Sequence, residues 1–137
     1  MKIQLTPAGV SSASEIEREI EVFAKMPNGA LIVLPAAVTR QHRKQIISLA
    51  AKHRLPAIYP YAFFVTEGGL IAYGADLVDQ FQHAATYVDR ILRGAKPAEL
   101  PIQLPTKYEV VINLKTAKAL GLSIPKSVLL RADRVIE

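Results

Sequence analysis

Apolar residues recur along the first half of the chain in two rhythms. Short runs at Ile3–Val10, Ala30–Leu34 and Leu55–Tyr59 predict strands, each closed by a proline or a glycine. Between them Ile16, Ile20, Phe23 and Ala24, and then Ile46, Ile47, Leu49 and Ala50, follow helical spacing. Ser14 opens Ser-Glu-Ile-Glu, which reads as a capping box with Glu17 reaching back. Thr39 reads as the cap of a second helix that runs to about His53, while Pro27-Asn28-Gly29 stops the first. Ala30–Leu34 is apolar at every position, as a strand buried on both faces should be. Residues 1–60 therefore predict β-α-β-α-β, an α/β fold with a parallel sheet flanked by helices and right-handed crossovers.

The second half is built differently. Tyr61–Glu67 reads as a loop or short helix leading into Gly68–Gly74, an apolar strand with glycines at both ends. A strand so bracketed, between two unlike halves, suggests a crossover between lobes. Asp76 caps a helix over Leu77–Arg93 with an inward stripe of Leu77, Phe81, Ala84, Ala85, Val88, Ile91 and Leu92, and Gly94 stops it. Ala95–Thr106 holds three prolines and reads as extended. Tyr108–Ile112 predicts a strand, Leu114–Leu120 a short helix ahead of Gly121, and Pro125 a last helical turn through Arg131.

Composition narrows the function classes. The chain has 137 residues, half of them apolar, which suits one domain with a real core. Its net charge of +5 gathers partly in Arg40, Arg43, Lys44, Lys52 and Arg54, a stretch without an aromatic among its basic residues. Stacking on nucleic acid needs interleaved aromatics, so this stretch reads as a solvated helix face and no nucleic-acid partner is expected. Without cysteine there is no disulfide framework and no thiolate chemistry. No apolar run is long enough to span a membrane, and the amino terminus lacks the apolar core of a signal peptide. Taken alone, that would place a complete chain of this sequence in the cytoplasm.

Motifs for catalysis are missing. There is no Gly-x-Ser-x-Gly elbow and no glycine-rich phosphate loop. His42 and His53 are about 16 Å apart along one helix axis at 1.5 Å per residue, too far to share a metal. His83 reads as a polar-face residue, and Asp76 and Asp79 as cap and dipole partner. Neither an enzyme nor a cofactor or metal site is expected. What remains is a binding surface. In open parallel sheets ligands sit beyond the carboxyl ends of the strands. Tyr59, Tyr61, Phe63, Phe64 and Tyr73 gather there, either as core filling or as the lining of a small-ligand cleft.

Three stretches carry a family resemblance. They are Gly68–Leu77 (Gly-Gly-Leu-Ile-Ala-Tyr-Gly-Ala-Asp-Leu), Ala85–Pro97 (Ala-Thr-Tyr-Val-Asp-Arg-Ile-Leu-Arg-Gly-Ala-Lys-Pro) and Pro105–Leu122, followed by the ending Leu129–Glu137. Together they resemble the carboxyl-terminal part of ABC-transporter substrate-binding proteins. The resemblance implies part of a type I periplasmic-binding-protein fold, two Rossmann-like lobes that clamp a ligand, with a periplasmic location. On that map residues 1–66 supply most of the second lobe, 67–95 cross to the first, and 96–137 form a tail that crosses back. Relatives of this kind take up amino acids, aromatic ones among them, and pass them to a membrane permease. Where such proteins tend to place an aspartate after the strand matching Leu31–Leu34, this chain has Pro35-Ala36-Ala37. The residues expected to bind a solute are then Thr39, Tyr59, Tyr61 and Tyr73, with Glu67 as a further candidate.

The expected function is solute binding without catalysis, as a component or carboxyl-terminal piece of an ABC-type uptake system. The rivals are a ligand-sensing domain of a cytoplasmic regulator and a truncated interaction module. The Leu77–Leu92 stripe adds one expectation about assembly. Leaving its six larger residues wet would forfeit on the order of 10 kcal/mol, about the whole stability of a domain. Either the helix folds back on its own sheet, or it pairs with a second chain in a homodimer, which is the expectation adopted.

Overall fold

The structure, a computed structural model, describes residues 3–137. Among them five strands lie side by side in chain order: β1 (Leu31–Ile32), β2 (Ala57–Tyr59), β3 (Ile71–Ala75), β4 (Tyr108–Asn113) and β5 (Arg134–Ile136). The first three are parallel, β4 runs antiparallel to β3, and β5 is parallel to β4. The helices are α1 (Ala13–Phe23), α2 (Ala37–Gln41), α3 (Arg43–Lys52), α4 (Ala62–Thr66), α5 (Leu77–Leu92), α6 (Leu114–Ala119) and α7 (Lys126–Leu129). This is the α/β architecture that the alternating pattern predicts.

The period-two alternation of side chains gives the sheet two faces. Ala57, Tyr59, Ala72 and Val111 point to one, where Ile16 and Ile20 of α1, Ile46, Ile47, Leu49 and Ala50 of α3, and Phe64 and Val65 of α4 close the core. The register carries Ile32, Ile58, Ile71 and Tyr73 to the other face. Ile32 there is 62% exposed. The expectation that Ala30–Leu34 is buried on both faces is therefore wrong: β1 is an edge strand with one covered face, and only two of its residues pair.

Three other local expectations are corrected. Ile3–Val10 is not a strand; a strand needs a hydrogen-bonded neighbour, and among the described residues nothing pairs with the free edge of β1, so Ile3 and Leu5 stay exposed. The first helix is capped two residues earlier than expected. Ser12 Oγ accepts from the Glu15 amide at 3.3 Å, and the Glu15 carboxylate accepts from the Ser11 amide at 2.7 Å. The second predicted helix is two helices, α2 and α3, that meet at His42, and Thr39 lies inside α2. The strand β5 has no prior signal in the sequence pattern; Asp133 starts it by accepting from the Val110 amide at 2.7 Å.

Gly74 explains how β3 fits. A Cβ at that position would overlap the carbonyl oxygen of Pro60, so the backbone beyond β2 can pass only a glycine. Just past it, Asp76 ends the strand and starts α5, its Oδ1 accepting from the amides of Val78 at 2.9 Å and Asp79 at 3.3 Å. The segment 76–107 leaves the sheet and returns to it at one point: the Asp76 amide donates to the Lys107 carbonyl at 3.0 Å, and Lys107 Nζ lies 2.8 Å from Asp76 Oδ2. Within this arm Tyr87 Oη donates to the Pro101 carbonyl at 2.6 Å. No residue of α5 is buried, and Phe81 is 75% exposed. The helix does not fold back on its own sheet.

Candidate functional site

The carboxyl ends of β1, β2 and β3 lead into Pro35, Pro60 and Asp76, and these segments form the rim where a ligand would sit. Pro60 cannot donate a ladder hydrogen bond, so β2 ends there and the chain turns into α4, while β1 ends at Ile32 and runs on through Pro35 into α2. A shallow pocket of about 200 Å³ opens on this rim, lined by Pro35, Ala36, Ala37, Arg40 and Tyr61. Ligand pockets usually measure about 300–1,000 Å³, so this is one wall rather than an enclosure. A larger groove of about 500 Å³ runs over α1 to His53, away from the strand ends, and carries charges of both signs at Glu17, Arg18, Glu21 and Lys25.

The expected residues occupy different places. Tyr61 is half-buried and lines the rim pocket. Its ring stacks on Phe63 at 5.3 Å, Phe63 on Phe64 at 5.0 Å, and Phe64 on Tyr59 at 5.1 Å, a ladder running from the pocket into the core. Tyr59 is the inner end of that ladder, 2% exposed, and burial pushes its hydroxyl well above the ordinary tyrosine range. Thr39 is buried too. Its hydroxyl donates to the Leu34 carbonyl at 2.9 Å and accepts from the Ala36 amide at 3.2 Å, fixing the turn that shapes the pocket floor. Glu67 holds Arg43 Nε at 2.8 and 3.0 Å, and that guanidinium lies 5.8 Å from the Phe63 ring centroid. Tyr73 is 57% exposed and stacks on Tyr108 at 5.8 Å, on the open sheet face.

Of the five candidates the structure thus brings Tyr61 to the pocket directly, with Thr39 supporting its backbone and Glu67 bracing the aromatic ladder through Arg43. One lining residue is new, Arg40. It is exposed, and its guanidinium makes no ion pair among the described residues. The sequence signal for it was position alone: it is the first charged residue after the end of β1. Among the described residues no group of three His, Asp or Glu side chains could hold a metal, and no helix is long and apolar enough to cross a membrane.

Comparison with known proteins gives a consistent result. Residues 1–136 match the family model described as ABC transporter substrate binding protein. Among solved structures, the chain is similar to the ABC domain in complex with L-Trp from Streptococcus pneumoniae, with a TM-score of 0.83 and 29% identity over 93% of this chain. It is also similar to a conserved domain protein from Vibrio cholerae, with a TM-score of 0.82, 24% identity and 90% of this chain covered. The open, ligand-free CD0873 of Clostridium difficile, a substrate-binding protein with adhesive properties, aligns over 93% of this chain with a TM-score of 0.63 and 18% identity. The last two, under 25% identical, support the fold alone. The chain spans only 42–44% of the length of these structures. No curated protein matches it.

Proposed function

Because the chain belongs to the ABC transporter substrate-binding protein family, which is non-catalytic, we propose that its strand-end rim is one wall of a solute-binding cleft. The solute is a small organic molecule with an aromatic part, the complex forms on the extracytoplasmic side, and the loaded protein docks on a membrane permease. The observation that carries this reading is the Tyr61 edge of the aromatic ladder exposed beside small residues at Ala36 and Ala37. The L-Trp bound by the pneumococcal structure is in keeping with it.

One wall buries only part of a ligand, so the isolated chain binds no better than roughly micromolar, about −8 kcal/mol. Calorimetric titration with aromatic amino acids and aromatic acids tests this. Tyr61→Ala weakens binding several-fold, consistent with the roughly 0.5–1.5 kcal/mol of an aromatic pair. Nanomolar binding to this chain alone would overturn the one-wall reading.

We further propose that the chain pairs as a homodimer through α5. Val78, Phe81, Ala85, Val88 and Leu92 recur at alternating intervals of three and four, the spacing with which two helices pack along a shared seam.

A further inference from the structure

The rim has an ionic inventory, and it is lopsided. Three carboxylates stand on the segments that follow the strand ends, Glu67, Asp76 and Asp79, and none of them lines the pocket. Glu67 is bonded twice by Arg43 Nε. Asp76 accepts from the first amides of α5 and from Lys107 at 2.8 Å. Asp79 Oδ2 is buried without a hydrogen-bond partner, 3.3 Å from His83 Nδ1 and outside the pocket lining. Of the rim cations, Arg43 is spent on Glu67 and Lys107 on Asp76. Arg40 alone among the described rim residues lines the pocket with its guanidinium uncommitted. A planar fork of donors with no internal partner suits a carboxylate, which it can hold by two parallel hydrogen bonds. A solute ammonium would meet no carboxylate among the pocket-lining residues, and Arg40 would repel it.

Resting on the solute-binding reading above, we propose that this wall recognises an aromatic carboxylate, Arg40 binding the acid group and the Tyr61 edge of the ladder the ring, and that a solute amine contributes nothing here. Arg40 is then the residue that sets specificity. Pro35, Ala36 and Ala37 leave the space between it and Tyr61 free of bulky side chains. The brace behind Tyr61, Phe63 held under Arg43 by Glu67, keeps the ring in place without using Arg40.

Four probes that share a phenyl ring and a short chain test this: 3-phenylpropionate, L-phenylalanine, phenethylamine and 3-phenylpropanol. Binding to the whole chain is followed by amide chemical shifts at Ala36, Ala37, Arg40 and Tyr61. 3-Phenylpropionate is expected to bind at least as tightly as L-phenylalanine, and at least about tenfold more tightly than the amine or the alcohol, the scale of one charged hydrogen-bonded contact. Arg40→Gln abolishes that preference and Arg40→Lys keeps part of it, while both retain the wild-type spectrum elsewhere. Preference for phenethylamine, for L-phenylalanine over the acid, or an unchanged preference in Arg40→Gln would overturn the inference and leave the solute-binding reading standing. If none of the four shifts the rim amides at millimolar concentration, the inference and the aromatic-solute reading fall together.

Discussion

Single atoms set the limits at several positions. Gly74 abuts the Pro60 carbonyl, so Gly74→Ala forces two backbones apart and costs about 1–3 kcal/mol, measurable by urea unfolding; a change within experimental error would contradict the close approach. Phe64, fully buried between Tyr59 and Phe63, is worth more, and Phe64→Ala costs about 3–5 kcal/mol. Arg54 follows α3 at φ 53, a left-handed conformation that costs a side chain energy, and its neighbour Leu55 donates back to Ala50 at 2.9 Å. Arg54→Gly should therefore stabilise the fold by up to about 1 kcal/mol. Sequence marked the glycines of 68–74 as special, and the structure gives each a reason: Gly68 holds φ 111, while a Cβ at Gly69 or Gly74 would run into Tyr59 or the Pro60 carbonyl. It did not separate Tyr61 from Tyr59, since one tyrosine two residues from another looks the same until a sheet decides which faces the core.

Elements were legible where they bury a face and obscure where they depend on a neighbour. α1, α3, β2, β3 and β4 show their periodicity because each presses an apolar face on the core. Ile3–Val10 has strand-like alternation and no strand beside it, so pattern alone misled. β5 is three residues long and owes its existence to β4 and to Asp133. At the start of α5, the hydrogen bond from Lys107 and then those from the Asp79 and Val78 amides hold the Asp76 carboxyl below the usual carboxylate range. The same contact raises Lys107. Asp76 therefore supports the folded state fully above its unfolded value of about 3.9, and the support is lost as pH falls through the depressed value. Lys107 behaves oppositely, its support fading only as pH rises through its raised value. A carboxyl NMR titration should put the Asp76 midpoint below about 3.9, and Lys107→Ala should move it upward. A wild-type midpoint at or above that value would break this account of the clasp.

At the scale of the molecule, a sheet-centred core carries an arm that is almost entirely solvent-facing. Pairing of two α5 faces would cover Val78, Phe81, Val88 and Leu92 together. Sedimentation at micromolar concentration should give twice the chain mass, and Phe81→Asp should return a folded single chain. A folded wild-type monomer would leave the stripe for another partner and refute the dimer. The family and its fold were readable from the glycine-bracketed strand and the segments after it; the unenclosed rim pocket and the protruding arm were not, because both depend on how the elements are placed in space. The clasp at Asp76 and Lys107 has a further consequence for protein engineering. β3 and β4 are antiparallel neighbours, Ala75 stands opposite Tyr108, and the Asp76 amide already meets the Lys107 carbonyl. In backbone terms everything between them is a detour from a ready-made hairpin. Splicing residues 77–106 out and joining Asp76 to Lys107 through Asn-Gly should yield a smaller protein with the five-stranded sheet intact. That miniature should keep its rim chemistry, lose self-association and serve as a cassette into which other helices can be grafted.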